Sequence, residues 1–439
     1  MIWHLIVNVG PTDVYAPDLS PSDARVLIPF DQPTSPWRVG NDTERVLSEE
    51  LHAQPHPVIR DLLRLAVAVY AADMRVPRKR TDDRWSREMM LYLPVSNVNV
   101  WSKARAGLLR LLAFLTGDRW DVEFRGAEGP DTPVTASAEP VDAVCLFSGG
   151  LDSLVGAIDL LAEGGRVALV SHHGRGDGGA KTIQTRVVAA LREEFKDQII
   201  HVPFYVHPDY GNTAENENTM RGRSLLFMGM GIAVASVMAS KPILTVAENG
   251  LISLNVPLTG ARTGSLSTRT THPYYIELFR KLLASLKIDI PISLPYRHVT
   301  KGEMLVQVKH KGALDKTASL TISCSHPTVG RYAGNTPGNH CGYCVPCIIR
   351  LASLKAAGIA DREPDCDVVA SPPSVTSDRV QDVRAFRIGI ERLKGSAPRS
   401  DIFRILRSGP IPPDEAKAFA AVYRRGMAEV AAFLGIAFP

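Results

Sequence analysis

Apolar and polar positions alternate along the chain in blocks of two kinds, short apolar runs and longer stretches at helical spacing. Leu62, Leu63, Leu65, Ala66 and Val69 mark a helix over about 56–72. A strand-like segment follows at Glu88–Val95, ending at Pro94, and then a helix over about 102–115. From 141 to about 300 the alternation is regular. Strands are expected at 141–147, 167–171, 199–206 and 243–247, and helices at 153–163, 181–195 and 223–239. That order predicts an α/β fold with a parallel sheet covered by helices on both faces. Ligands of such sheets lie beyond the carboxyl ends of the strands, where Ser148–Ser153, His172–Gly174, Arg221–Ser224 and Glu248–Gly250 fall. Residues 126–140 are rich in Gly, Pro, Ser and Thr and read as a linker after an N-terminal α+β domain, 1–125. The central domain is expected over 141–360. Beyond it, a Ser-Pro-Pro loop after Ala370 precedes helices near 378–394, 400–407 and 413–434, whose patterning argues packing or partner contact rather than chemistry.

Composition narrows the class. With 439 residues, 45% apolar and 22% charged, the chain can bury a large core and is neither disordered nor fibrous. The longest apolar run, Leu225–Met238, is too short to cross a membrane and holds Gly229, Gly231 and Ser236. Met1-Ile2-Trp3-His4 lacks the basic region of a secretion signal, so a cytoplasmic protein is expected. A net charge of +4 falls short of a dedicated nucleic-acid binder. Two basic patches remain: Arg75–Arg84, expected as a solvated loop, and Arg221-Gly222-Arg223, which opens a long apolar helix and suits phosphate or carboxylate recognition.

The segment Ser148-Gly149-Gly150-Leu151-Asp152-Ser153 joins a buried strand to a helix. Its glycines let backbone N–H groups close on an anion, and Ser148 and Ser153 add hydroxyl donors at the positive end of the helix. Asp152 suits a place beside a polyphosphate only if a hard divalent cation such as Mg²⁺ lies between them, so it suggests a metal. The loop is shorter than a G-x-x-x-x-G-K-[ST] loop and no lysine follows its glycines. The competing reading is an ordinary turn of an αβ unit.

Four of six cysteines, Cys324, Cys341, Cys344 and Cys347, fall within 24 residues. The last three have C-x₂-C-x₂-C spacing, and the 16 residues after Cys324 form a loop that can bring in a fourth ligand. A closed set of four thiolates suits structural Zn²⁺. A disulfide pair or an iron–sulfur cluster are the alternatives. His326 and His340 adjoin the knot; Cys145 reads as a buried strand residue and Cys366 as a stray thiol.

Ser148–Ser153 resembles the S-G-G-x-D-S signature of the PP-loop ATP pyrophosphatases, which cleave ATP between its α- and β-phosphates. Combined with the downstream cysteine set it resembles the 7-cyano-7-deazaguanine synthase (QueC) family over about 141–360. Arg221-Gly222-Arg223-Ser224 sits where that family has P-G-R-N, Glu248-Asn249-Gly250 at its G-x-N-like strand end, and Thr300-Lys301-Gly302-Glu303 resembles its S-K-x-E. The resemblance implies a PP-loop (adenine nucleotide alpha hydrolase-like) fold, ATP, Mg²⁺ and Zn²⁺. It further implies adenylation of the carboxylate of 7-carboxy-7-deazaguanine and transfer to an amine. Ser148, Gly149, Gly150, Asp152, Ser153 and His172 would then hold the nucleotide; Arg221, Arg223, Glu248 and Asn249 the substrate; and Asp152, Ser153, Arg223 and Lys301, with Lys181, would act on the transferring group. There are departures. Ser171-His172-His173-Gly174 replaces a D-Y-G-Q-like segment, and Ser267–Pro273 replaces Y-P-D-C, which makes His172, His173 and His272 candidate proton carriers. The extra terminal regions resemble the QatC group of anti-phage defence proteins, which implies an operon-encoded protein partner as amine acceptor. Two other readings are a tRNA-modifying PP-loop enzyme and a non-catalytic nucleotide sensor.

Overall fold

The computed structural model describes residues 1–30, 32, 34–127, 133–175, 179–209, 217, 221–258, 269–325, 339–370, 377, 380–397 and 399–438. At the N-terminus, β1 (Ile2–Val9), β2 (Ala24–Phe30), β4 (Glu88–Val95) and β5 (Arg119–Gly126) form a sheet of order β2-β1-β4-β5. All of its pairings are parallel, which corrects the α+β expectation. The physical reason is connection length. Parallel strands of one sheet need long connections: residues 10–23 join the neighbours β1 and β2, helix α2 (Pro57–Arg75) lies between β2 and β4, which flank β1, and α3 (Val98–Thr116) joins the neighbours β4 and β5. The short strand β3 (Val39–Asn41) and the turn α1 (Thr43–Arg45) precede α2.

The second sheet has order β10-β9-β6-β7-β8-β3. It is built from β6 (Ala143–Leu146), β7 (Val167–His173), β8 (Ile199–Pro208), β9 (Ile243–Thr245) and β10 (Ile292–Ser293), all parallel, with β3 added antiparallel on β8. Helices α4 (Leu151–Ala162), α5 (Ala180–Phe195) and α6 (Arg223–Val237) follow β6, β7 and β8. The chain runs β6 to β7 to β8 in one direction and then returns to lay β9 on the other side of β6. That reversal creates a crevice at the carboxyl ends of β6 and β9, where open α/β sheets hold their ligands.

One apolar cluster runs from the N-terminal sheet through α2 and α6 into the second sheet. Helix α6 is apolar on every side because it is covered by the sheet on one face and by α2 on the other. Gly229 makes the contact close: a Cβ there would sit 3.0 Å from that of Ala66. A second cluster lies on the opposite sheet face under α4, α5 and two helices further on, α9 (Lys301–Gln307) and α10 (Lys311–Thr317). Between the sheet and α9 come α7 (Gly250–Leu254) and α8 (Pro273–Ser285). A third cluster joins α7 to the C-terminal helices α11 (Val345–Ala357), α12 (Gln381–Glu391), α13 (Arg399–Ile405) and α14 (Ala416–Phe433). Among the described residues no helix is long and apolar enough to cross a membrane.

The basic patch expected as a solvated loop is half interior. Arg75 and Arg78 are buried, while Lys79 and Arg80 are exposed. Arg75 donates to the carbonyls of Leu27, Trp37, Arg38 and Asp209. Arg78 and the fully buried Arg87 both pair with Asp118, at 2.7 and 2.6 Å, and Arg87 also with Asp73 at 2.7 Å. Guanidinium groups enter a protein interior only when such forks are satisfied. The loop after α2 is thereby fixed to the start of β4 and the end of α3.

Candidate nucleotide-binding site

The turn after β6 continues the sheet ladder by one bond, Phe147 N–H to the Val170 carbonyl at 2.7 Å, and then breaks away. Gly149 has φ +82°, a left-handed conformation that a side chain strains, and a Cβ there would meet Gln184 Cγ at 3.2 Å. The Ser148 and Ser153 hydroxyls lie 3.3 Å apart, and Ser153 donates to the Gly150 carbonyl at 2.9 Å. Ser148 is exposed, so the mouth of the turn is open to solvent. Gln184, fully buried on α5, donates to the carbonyls of Ser148 (3.3 Å) and His172 (3.0 Å) and ties the turn to the end of β7.

The approach to the cysteine knot crosses this turn. Ile322 N–H donates to the Gly149 carbonyl at 3.1 Å, and the Leu151 N–H reaches Ser323 Oγ at 3.5 Å. Cys324 follows directly. Cys324, Cys341, Cys344 and Cys347 converge with their sulfurs within 4.8 Å of one another, and Cys341 and Cys347 are 3.9 Å apart. Tetrahedral zinc with bonds of ~2.3 Å sets its sulfurs about 3.8 Å apart, so the donor set fits that ion. The thiols share protons unequally. Hydrogen bonds from Cys341, Cys344 and Cys347 pull Cys324 far down, while those to Cys324 push Cys344 and Cys347 far up. A divalent cation would resolve the conflict by accepting four thiolates. No disulfide joins any of the six cysteines, all of which are among the described residues. His340 is buried with its Nε2 4.0 Å from Asp361, outside the sulfur cluster, and His326 lies outside the described residues. Cys145 is interior, its thiol pushed up to about 12 by burial, and Cys366 is half-buried.

On the α4 side of the turn, Asp152 meets Asn249, which follows β9, and Lys301 at the start of α9. One Asp152 oxygen accepts from Asn249 Nδ2 (2.6 Å) and the Asn249 N–H (3.2 Å). The other lies 3.0 Å from the Lys301 ammonium. The Lys301 ammonium thus places positive charge beside Asp152, the residue expected to face Mg²⁺. Asn249 is held in turn, because its Oδ1 accepts from the Ile252 N–H at 3.1 Å and caps α7. Next to it, Glu248 accepts a hydrogen bond from Thr271, which also meets Ser253. Burial pushes the Glu248 carboxyl up to about 7 against the Thr271 hydrogen bond; Asp152 adds to the rise and Lys301 opposes it.

The remaining expected residues divide. The Arg223 guanidinium donates to His172 Nδ1 at 3.2 Å and lies over Phe227. His172 itself faces inward: it is buried, its Nε2 meets the Val206 carbonyl at 3.0 Å, and Tyr70 and Phe227 pack on its ring. Burial, then the charge of Arg223, hold His172 well below its ordinary value. Arg221 is turned towards the N-terminal region, bonded to the Thr116 carbonyl and stacked on Trp85. Lys181 is exposed at the start of α5. His272 caps α8, meets Ser408 at 3.1 Å, and is held down at about 3 by burial, so its ring is uncharged at neutral pH. His173 is buried against Tyr205. Ser267 and Thr268 lie outside the described residues.

Over 239 residues, 53% of this chain, the sequence is 26% identical to the 7-cyano-7-deazaguanine synthase of Chromohalobacter salexigens, and the match spans 90% of that protein. This chain is thus distantly similar to such a synthase. No family model matches it.

Sequence reasoning missed Gln184, Ile322, Ser323 and Thr271. Gln184 had one signal, a polar side chain on the apolar face formed by Ile183, Val187, Val188 and Leu191. Ser323 had only its place before Cys324. Thr271 had none beyond its position in the segment before Pro273.

Proposed function

We propose that the chain is an ATP-dependent synthase that joins the carboxylate of a deazaguanine, of the 7-carboxy-7-deazaguanine kind, to AMP and then passes the acyl group to an amine. The observation that carries this reading is the meeting of the Ser148–Ser153 turn with Asn249 and Lys301 at the strand-order reversal. The four-cysteine knot beside the same turn and the similarity to a 7-cyano-7-deazaguanine synthase support it.

The turn receives the β- and γ-phosphates, with the Ser148 and Ser153 hydroxyls and the first N–H groups of α4 as donors. Mg²⁺ would accompany ATP and shield its phosphate charge; Asp152, held by Asn249 and Lys301 beside the turn, is the carboxylate that would face it. A carboxylate oxygen of the substrate attacks the α-phosphorus and pyrophosphate leaves. Lys301, preset by Asp152, supplies positive charge where negative charge gathers. The amine then attacks the acyl carbon and AMP departs. Zn²⁺ bound by Cys324, Cys341, Cys344 and Cys347 would be structural, fixing the segment in which Ile322 and Ser323 meet the turn.

The test is pyrophosphate release from ATP and Mg²⁺ with and without 7-carboxy-7-deazaguanine, with ammonia or proteins encoded next to this chain as acceptors. Deazaguanine-dependent pyrophosphate, lost in Asp152→Ala, is expected. A mass gain on a neighbouring protein would identify a protein acceptor, and ATP binding without turnover would favour a sensor.

A further inference from the structure

The C-terminal helix α14 was expected to serve packing or partners, yet one of its faces meets the elements that present Asn249 and Lys301. Residues 415, 422, 425, 426 and 429 share that face at helical spacing. Glu415 pairs with Arg297 at 2.9 Å. Val422 and Gly426 sit against α7: a Cβ on Gly250 would come within 2.7 Å of Val422, and one on Gly426 within 2.7 Å of Leu251. Arg425 forks onto Glu303, at 2.6 and 3.1 Å, and donates to the His298 carbonyl at 2.9 Å. One turn on, the half-buried Glu429 reaches the first turn of α9. Its carboxylate accepts from the Thr300 hydroxyl, from the Gly302 N–H at 3.3 Å and from Ser353 Oγ on α11 at 3.3 Å.

Lys301 lies between two of these anchors. Thr300 is the cap of α9, its hydroxyl accepting from the Glu303 N–H at 3.1 Å while its N–H donates to the Glu303 carboxylate at 2.8 Å. Gly302 admits Glu429 because it lacks a Cβ, which would stand 2.6 Å from the carboxylate oxygen. One carboxylate oxygen accepts from the Thr300 hydroxyl and the other from the Gly302 N–H, with Ser353 nearby, a hydroxyl that also donates to the Ile349 carbonyl at 2.7 Å. An amide that keeps the Gly302 bond turns its nitrogen to Thr300, so that hydroxyl must accept instead and its own proton loses the carboxylate.

We infer that Glu429 is a positioning residue for Lys301: α14 clamps the first turn of α9 so that the Lys301 ammonium stays on Asp152 and faces the nucleotide turn. This rests on the reading that Lys301 serves the phosphate-transfer step. Misplacing a group at that step by about 1 Å costs about 10²-fold in rate.

The test compares Glu429→Gln, Lys301→Met and the double variant in the full-length, zinc-loaded protein. Pyrophosphate release and amide hydrogen exchange across 300–307 are both measured. Glu429→Gln should lower kcat between about ten- and a hundred-fold with a smaller change in the ATP KM. It should speed exchange at 302–305, and the double variant should be no slower than Lys301→Met alone. Arg425→Met, at the exposed rim of the same face, should show the same pattern more weakly and serves if Glu429→Gln fails to fold. Unchanged exchange at 302–305, or rate losses that multiply with those of Lys301→Met, would overturn the inference. Altered exchange in a protein that releases no pyrophosphate at all would instead leave the clamp standing and remove the reading of the site.

Discussion

Lys301→Met removes the only charge that balances Asp152 in the described surroundings of the turn, and the size of the penalty follows from burial. The Lys301 and Asp152 side chains are 5% and 13% exposed. Removing one partner of a buried pair costs about 3–5 kcal/mol, because the other charge is stranded. Asp152 keeps both hydrogen bonds from Asn249. The lower end, about 3 kcal/mol, is therefore expected. Asp152→Asn on the Lys301→Met background removes the stranded charge and should return about 2 kcal/mol. The assay is urea unfolding of the parent, both single variants and the double variant, with the coupling taken from the cycle. All three variants should release pyrophosphate much more slowly than the parent, which separates the restored fold from the impaired chemistry. A coupling below about 0.5 kcal/mol would show the pair to be screened like a surface bridge and would refute the argument that Lys301 balances the buried Asp152 charge.

Metal removal should act through the turn. Chelation, or Cys344→Ser, should release one zinc per chain in a dye-binding assay, and exchange should rise at the Ile322 amide, with loss of ATP turnover. Retained turnover in the stripped protein would contradict the buttressing role. Gly149→Ala should cost about 1–2 kcal/mol for the left-handed backbone and raise the ATP KM, read from thermal shift and steady-state kinetics. The Glu248 carboxyl, raised to about 7, predicts a pH effect of definite sign. Its folded value exceeds the unfolded one, so its stability contribution is complete below the unfolded value and is lost as pH rises through 7. Glu248→Gln should gain on the parent between pH 5 and pH 8 by up to about 3 kcal/mol in urea unfolding. A loss that grows with pH would reverse the sign and refute the assignment.

The central sheet was legible because β6, β7 and β8 are short apolar runs separated by helices with an apolar stripe, the two periods that residue spacing records directly. The Ser/Gly turn and the four cysteines were legible because their chemistry is local. β3 is three residues long and gains its meaning from β8, more than 160 positions away, so no window contains it. β5 carries a plain alternation, Trp120, Val122 and Phe124, and was passed over beside the glycine-rich segment that follows. The Asp152–Lys301 pair and the Glu429 clamp join residues far apart in the chain. Periodicity shows that one face of α14 is buried, not what that face meets.

The most direct measurement follows oxygen. If a carboxylate is joined to AMP at this turn, 7-carboxy-7-deazaguanine labelled with oxygen-18 in its carboxylate must leave one labelled oxygen on the phosphate of AMP. Mass spectrometry of AMP from a reaction with ATP and Mg²⁺ should show that single label in the parent and no AMP from Asp152→Ala. Unlabelled AMP, or ADP and phosphate in its place, would contradict adenylation.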